Sequence, residues 1–338
     1  MKTRHRSRRL PAGVAALVAA AGLVVLVARP DTAGAADDPE TLLEGARTAS
    51  SRQSFTGLLR LTWRAADGVH HSAVVARAAH GSIKLGFVPS GIAARGLKRW
   101  MVGQAGWREV WDEPQPVGTP RPGAHWDLEV AGYERVAGRN AARVVASDPD
   151  TGRVRARYWI DTQTGILLRK EIRDTQGRVE RALEFTVITR RTSDEPEPPR
   201  HAPGRPPRAI VRVPDGYPAP RHVDGYRLLS RYRHDNGSVQ LFYSDGLFTM
   251  SLFEQSGDVD WDALPHGVER DVEGTRTRSF STATATVVVW GQGGLTITCV
   301  GDAPHDELVD VMRTLHASSG SDAFEDVADF VLGPFGWD

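Results

Sequence analysis

"YERVAGRNAARVVASDPDTGRVRARYWIDTQTGILLRKEIRDTQGRVERALEFTVI", residues 133–188, is the stretch that decides the fold. Four turns punctuate it, at Ala137-Gly138, Thr151-Gly152, Thr164-Gly165 and Gln176-Gly177. Each glycine can supply the left-handed backbone that a tight turn requires. The spacing predicts an antiparallel meander. In its last strand Val179, Arg181, Leu183, Phe185 and Val187 share one face, and Glu180, Ala182, Glu184 and Thr186 the other. A mostly apolar face and a wet face are what an antiparallel sheet over a single core needs.

Five carboxylates crowd this segment: Asp161, Glu171, Asp174, Glu180 and Glu184. A glycosidase-like pair needs two acids facing each other across a cleft, one with a raised pKa. The pattern places Asp161 and Asp174 at strand ends, where short acids bond nearby backbone amides. It places Glu180 and Glu184 on the polar face. The reading is therefore turns and surface, not an acid/base site.

Working outward, the 338 residues suffice for two domains, and 40% hydrophobic with 25% charged content is ordinary for globular chains. Residues 1–35 hold six bases against Asp31, so the remainder carries 36 bases and 41 acids, a net −5. That balance gives no reason to expect nucleic acid. "MKTRHRSRRL", the apolar run Ala12–Ala28 and Ala33-Gly34-Ala35 read as a signal peptide or an uncleaved signal anchor, which puts the bulk of the chain outside the cytoplasm. Arg8-Arg9 is a weak twin-arginine signal beside ordinary secretion. The lone Cys299, in the alternating run "LTITCV", excludes an internal disulfide and reads as a small buried hydrophobe.

Upstream, Asp38 can cap a helix with Pro39 at its first position and Leu42, Leu43, Ala46 and Ala49 on one side. Leu59, Leu61 and Trp63 then alternate toward an Asp67-Gly68 hairpin. Residues 81–127 read as broken strands and loops with one helical turn near Ala93–Trp100. "RRTSDEPEPPRHAPGRPPR", residues 190–208, has six prolines and reads as a stiff linker. Beyond it come strands turning at Asn236-Gly237 and Asp245-Gly246, and a hairpin around Gly291–Gly294. A helix follows, starting near Asp302 and Pro304, with Leu308, Val311, Met312 and Leu315 on its inner stripe. The tail 317–338 is acidic. It reads either as a frayed or lightly packed terminal segment or, since Phe324, Val327, Ala328 and Val331 would share a helical stripe, as an acidic amphipathic helix that docks on a partner or on the chain's own first domain.

Catalytic signatures are missing: no Gly-x-Ser-x-Gly, no His-Glu-x-x-His, no Walker loop. "GQGG" lies between two strands, the wrong context for a phosphate cradle. His70 and His71 would point to opposite faces, a poor geometry for one metal. Neither enzyme activity nor a cofactor is expected. The aromatics say more. Trp63, Phe87, Trp100, Trp107, Trp111 and Trp126 precede the linker, and bulky aromatics around a curved sheet are one way to line an apolar ligand groove.

These stretches resemble the RseB/MucB regulators of extracytoplasmic-function sigma factors. "LLEGARTASSRQSFTGLLRL" is similar to that family's helix leading into an aromatic-x-Gly strand entry. The meander carries its Val-x-Gly-Arg, Tyr-x-x-Asp-x-x-Thr-Gly and Asp-x-x-Gly pattern. "YRLLSRYRHDNGSVQLFYSDGLFTMSLFEQ" and "VVVWGQGGLTITCVGDAP" look like its C-terminal domain. Residues 80–128 and the tail depart from it. The resemblance implies an α+β chain. A LolA/LolB-like half-open, curved antiparallel sheet with helices would occupy 37–190, the linker 191–208, and a small α+β domain 209–316. It also implies a membrane anti-sigma factor ectodomain as partner, shielded from proteolysis, with an apolar ligand as input signal. A lipid or lipoprotein carrier of the LolA/LolB type, working without that partner, is the competing expectation.

Overall fold

The computed structural model describes residues 38–49, 53–79, 82–87, 107–111, 120–190, 208–210, 213, 217–234, 237–264 and 266–318. The expected helical turn near Ala93–Trp100, the linker 191–207 and the leader 1–37 lie outside them. The described chain opens with α1 (Pro39–Ala49), where the Asp38 carboxylate accepts a hydrogen bond from the Thr41 amide at 3.0 Å. That bond satisfies one of the amide donors that a helix start leaves open. Leu43, Ala46 and Ala49 are buried, as the spacing predicts.

The first sheet has nine described strands: β1 (Phe55–Ala65), β2 (Gly68–Ala79), β3 (Ser82–Phe87), β4 (Trp107–Trp111), β5 (Asp127–Val136), β6 (Arg139–Ser147), β7 (Val154–Asp161), β8 (Leu167–Arg173) and β9 (Val179–Arg190). Their order is β4-β3-β2-β1-β9-β8-β7-β6-β5, every pairing antiparallel. Strands β5 and β9, four places apart in that order, still come close together, so this half of the sheet curls strongly. The sheet is open, with β4 and β5 at its ends among the described strands.

The four glycine turns lie where the sequence puts them, with Gly138, Gly152, Gly165 and Gly177 all at positive φ. The strand-entry glycine has a packing reason. A β-carbon on Gly57 would lie 2.4 Å from Phe185 Cε1 and 2.8 Å from the Val187 carbonyl oxygen. Phe55 meets the same ring edge-on, with centroids 5.7 Å apart. The aromatic-x-Gly pair is therefore one device, an aromatic to pack on Phe185 and a bare backbone to let it in.

Strict alternation fails in β9. Leu58 pairs with Val187 and Leu59 with Phe185, which leaves Thr186 as an extra residue; between Ile172 and Arg173 the ladder likewise skips Glu180. Each bulge resets which side the following residues face. Val187, expected to share a face with Phe185, is 57% exposed. Glu180, expected on the wet face, is buried.

The second sheet contains β10 (Arg208–Ala209), β11 (His222–Val223), β12 (Tyr226–Arg233), β13 (Val239–Ser244), β14 (Thr249–Ser256), β15 (Val268–Val272), β16 (Thr275–Ser281), β17 (Thr286–Gln292) and β18 (Leu295–Gly301). Its order is β10-β12-β13-β14-β18-β17-β16-β15, with β11 beside β12. Helix α2 (His305–Ser318) packs on β17 and β11 through the predicted stripe Leu308, Val311, Met312 and Leu315, all buried. The architecture is thus predominantly antiparallel β with two described helices. One continuous apolar cluster joins the two sheets. Val144, Tyr158, Ile160 and Ile172 contribute from the first, Tyr226, Leu241 and Trp290 from the second, Leu43 from α1, Met312 from α2 and Phe248 from the turn before β14.

Candidate functional site at the junction of the two sheets

Around that shared core the two halves of the chain meet through charge. Arg155 on β7 donates from Nε and Nη2 to Glu307 Oε1 at 3.0 and 2.8 Å, and from Nη1 and Nη2 to Asp306 at 3.2 and 3.0 Å. Lys170 on β8 donates to Asp302 Oδ2 at 2.7 Å. Asp302 Oδ1 in turn accepts from the Thr249 amide at 2.7 Å, so one carboxylate ties the first sheet to the start of β14. Arg181 on β9 is buried and donates to the carbonyl oxygens of Asp302 and Ala303 at 2.8 and 2.7 Å, and to Thr286 Oγ1. Both oxygens of Glu180 accept from the His305 amide at 3.1 Å. An anion at a helix N-terminus meets open amides and the positive end of the dipole. The bulge that unseated Glu180 from the wet face is what brings it to α2.

Of the five sequence-marked acids, Glu180 therefore needs correcting, since it does not stand on the wet face. Asp161, Glu171 and Glu180 are buried. Asp161 keeps its turn role, accepting from the Gln163 amide and Thr164 Oγ1 while pairing with Arg139. Glu171 is clamped by Arg169 and Arg173, which hold its pKa down against its burial. Asp174 caps the β8–β9 turn, accepting from the Gln176 and Arg178 amides, and Glu184 pairs with the exposed Arg60. None of the five faces another across a cleft in these contacts. Among the described residues, no group of three or more His, Cys, Asp or Glu could hold a metal.

The aromatic candidates separate. Trp63 sits on β1, half-buried, its ring stacked on His70 with centroids 5.3 Å apart. His70 and His71 have different partners, Asp67 and Thr62. Phe87 lies opposite Val74 in the ladder, Trp107 opposite Gly86 and Trp111 opposite Ser82. Trp100 lies outside the described residues. Trp126, just before β5, belongs to the junction instead. Its indole N–H donates to Asp245 Oδ2 at 3.0 Å, and its ring meets Phe248 edge-on at 5.4 Å. Cys299 is fully buried against Met250, and burial pushes its thiol up to about 12.

Sequence reasoning missed the junction acids. Asp245 accepts from the Leu247 and Phe248 amides, both at 2.7 Å, as a turn residue should. Burial still pushes its pKa up to about 6. One guanidinium cannot neutralise two carboxylates. Arg155 and Thr175 hold Asp306 low, whereas burial pushes Glu307 up to about 8, with the Tyr226 hydroxyl donating to its other oxygen. The only local signal for Glu307 is its place in the first turn of a helix, which does not single it out.

These shifts have a sign. Glu307 and Asp245 hold protons in the folded chain at pH values where the unfolded chain has released them. Their contribution is full below the ordinary carboxylate range and is lost as pH rises through about 6 and about 8. Asp306 and His305, both lowered, act oppositely and lose stability on acidification. Arg47, Lys170, Asp302, Tyr158 and Tyr226 face the same cluster. Above the ordinary histidine range, about 6.5, the Glu307 slope is left. Tm should fall between about pH 6.5 and 8.5, and Glu307→Gln should flatten that fall. An unchanged slope in the variant, followed by circular dichroism melts, would remove Glu307 from the account.

Residues 96–202 match the family model described as the MucB/RseB N-terminal domain. Over that stretch, about a third of the chain, the sequence is similar to the MucB/RseB family. The family match runs from before β4 to beyond β9, so it takes in the whole meander. A crystal structure of MucB in complex with MucA(peri) is similar at TM-score 0.50 and 18% identity, over 82% of this chain and 97% of that one. A MucA/MucB complex from Pseudomonas aeruginosa gives 0.45 and 18%, over 79% and 93%. A LolA-superfamily protein from Nitrosomonas europaea gives 0.19 and 7%, over 78% and 90%, which carries no weight for the fold. No curated protein matches the sequence.

Proposed function

We propose that this chain is an extracytoplasmic, non-catalytic regulator that binds the external segment of a membrane anti-sigma factor and shields it from proteolysis. The observation that carries the reading is the MucB/RseB domain match over residues 96–202, together with a fold like that of MucB solved with MucA(peri). The junction supports a binding task over chemistry. Arg155, Lys170 and Arg181 are spent on holding the two sheets together, bonded to Asp306, Glu307, Asp302 and the Ala303 carbonyl. The first sheet, 37–190, takes the apolar input signal near Trp63, Phe87, Trp107 and Trp111, and the second, 209–316, contributes the partner surface. Coupling between them runs through the junction, because a ligand can act at a distance only by favouring one arrangement of such an element.

The test is a pull-down with the external segment of the single-span anti-sigma protein encoded beside a sigma factor in the same genome. Binding should protect that segment from the site-one protease. Absence of binding, together with an acyl chain retained in native mass spectrometry, would favour the carrier reading instead.

A further inference from the structure

One face of the first sheet carries a cationic cluster that the proposed function does not use. Arg157 on β7 stands in register with Val145 on β6 and Glu171 on β8. Burial disfavours its charge most, and Arg173 and Arg143 add to that while Glu171 and Glu134 oppose it. The acids beside it are already engaged. Glu171 gives one oxygen to Arg169 and the other to Arg173, and Glu134 accepts from Arg143 Nη1 at 2.8 Å. Among the described residues Arg157 makes no hydrogen bond, and its Nε is shut from water with no acceptor. Next to it Arg169 lies 4.4 Å over the Trp159 ring. A guanidinium beside two like charges, its Nε unsatisfied, is a place that lacks an anion.

The chain holds a matching partner. Residues 319–338 contain Asp322, Glu325, Asp326, Asp329 and Asp338, no lysine or arginine, and Phe324, Phe330, Phe335 and Trp337. This part of the acidic tail lies outside the described residues. It follows α2, whose Asp306 is bound to the Thr175 amide at 3.0 Å, two positions from Arg173. Helix α2 has 14 residues and is about 21 Å long. The twenty residues after it reach about 66 Å when extended, so the tail can return past Thr175 to Arg157.

We propose that residues 319–338 dock in cis on the Arg143–Arg157–Arg173 face, placing a tail carboxylate against Arg157. The occupant is this chain's own segment. An external acidic peptide competing for the same face would be held off until the tail is released.

Zero-length carbodiimide coupling on the full chain carrying Arg157→Lys tests this. The substitution keeps the charge and supplies the amine. Peptide mapping should find the introduced amine joined to Asp322, Glu325, Asp326 or Asp329, independent of protein concentration and suppressed at high salt. Coupling of that amine only to Glu134 or Glu171, or only in cross-linked dimers, would overturn the proposal. Hydrogen exchange gives a second readout. Residues 319–338 should lose protection in the full-length Arg157→Glu chain while β6–β9 stay protected; tail exchange identical to wild type would also overturn it.

Discussion

Arg155→Ala should destabilise the chain by about 3–5 kcal/mol, the loss expected when one partner of a buried ion pair is removed. The side chain is 4% exposed and is the single cation bonded to both Asp306 and Glu307. Alanine leaves the Asp306 carboxylate, and Glu307 once it ionises, at the N-terminus of α2 with, among the described residues, Thr175 and Tyr226 as donors across the junction. The cost is that of stranded charge, not of a lost attraction, and this can be separated. Arg155→Met combined with Asp306→Asn and Glu307→Gln removes the charges together and should recover most of the loss, because an uncharged junction has less to desolvate. Chemical denaturation measures both. A loss of about 1 kcal/mol or less for Arg155→Ala is what an exposed pair gives, and would mean that water reaches the junction freely. Two resolved transitions in place of one would show that the sheets had stopped unfolding together.

What the sequence made legible was local. The Asp38 cap, the glycine turns of the meander and the inner stripe of α2 each depend on residues within a few positions of one another, and each is found where the spacing puts it. The misses depend on distant partners or on an inserted residue. Nothing around Glu180 marks a bulge, yet one extra residue moved it from water to the N-terminus of α2, 125 positions away. Trp126 looked like a groove aromatic because a tryptophan in a loop-rich span carries no sign of its acceptor, Asp245, 119 positions on. Asp245-Gly246 was read correctly as a turn, and that reading concealed its second role. The same turn packs against the backbone of the segment before β5.

At that turn Gly246 has φ +98°, and a β-carbon there would lie 2.6 Å from the Pro120 carbonyl oxygen and 2.7 Å from Arg121 C and O. Two costs coincide. A side chain in this backbone region is strained by about 1–3 kcal/mol, and overpacking adds about 1–3 kcal/mol. The atoms in the way are backbone, so no rotamer change relieves the clash; the segment before β5 must move off the second sheet. Gly274 provides the control, with φ +81° and nothing within 4 Å of an added β-carbon. Gly274→Ala pays the backbone strain alone. Gly246→Ala should therefore cost more than Gly274→Ala by about 1–3 kcal/mol. It should also disturb the Trp126 indole, whose acceptor is the preceding residue, visibly in tryptophan fluorescence. Equal costs for the two variants, with unchanged fluorescence, would mean that the β5 approach is not pressed against this turn in solution. The junction could then not transmit a change in one sheet to the other through Gly246. A larger cost confined to Gly246 makes the turn the point where the arrangement of the two sheets is set. A partner or ligand that bears on either side of it would then shift the docking of both.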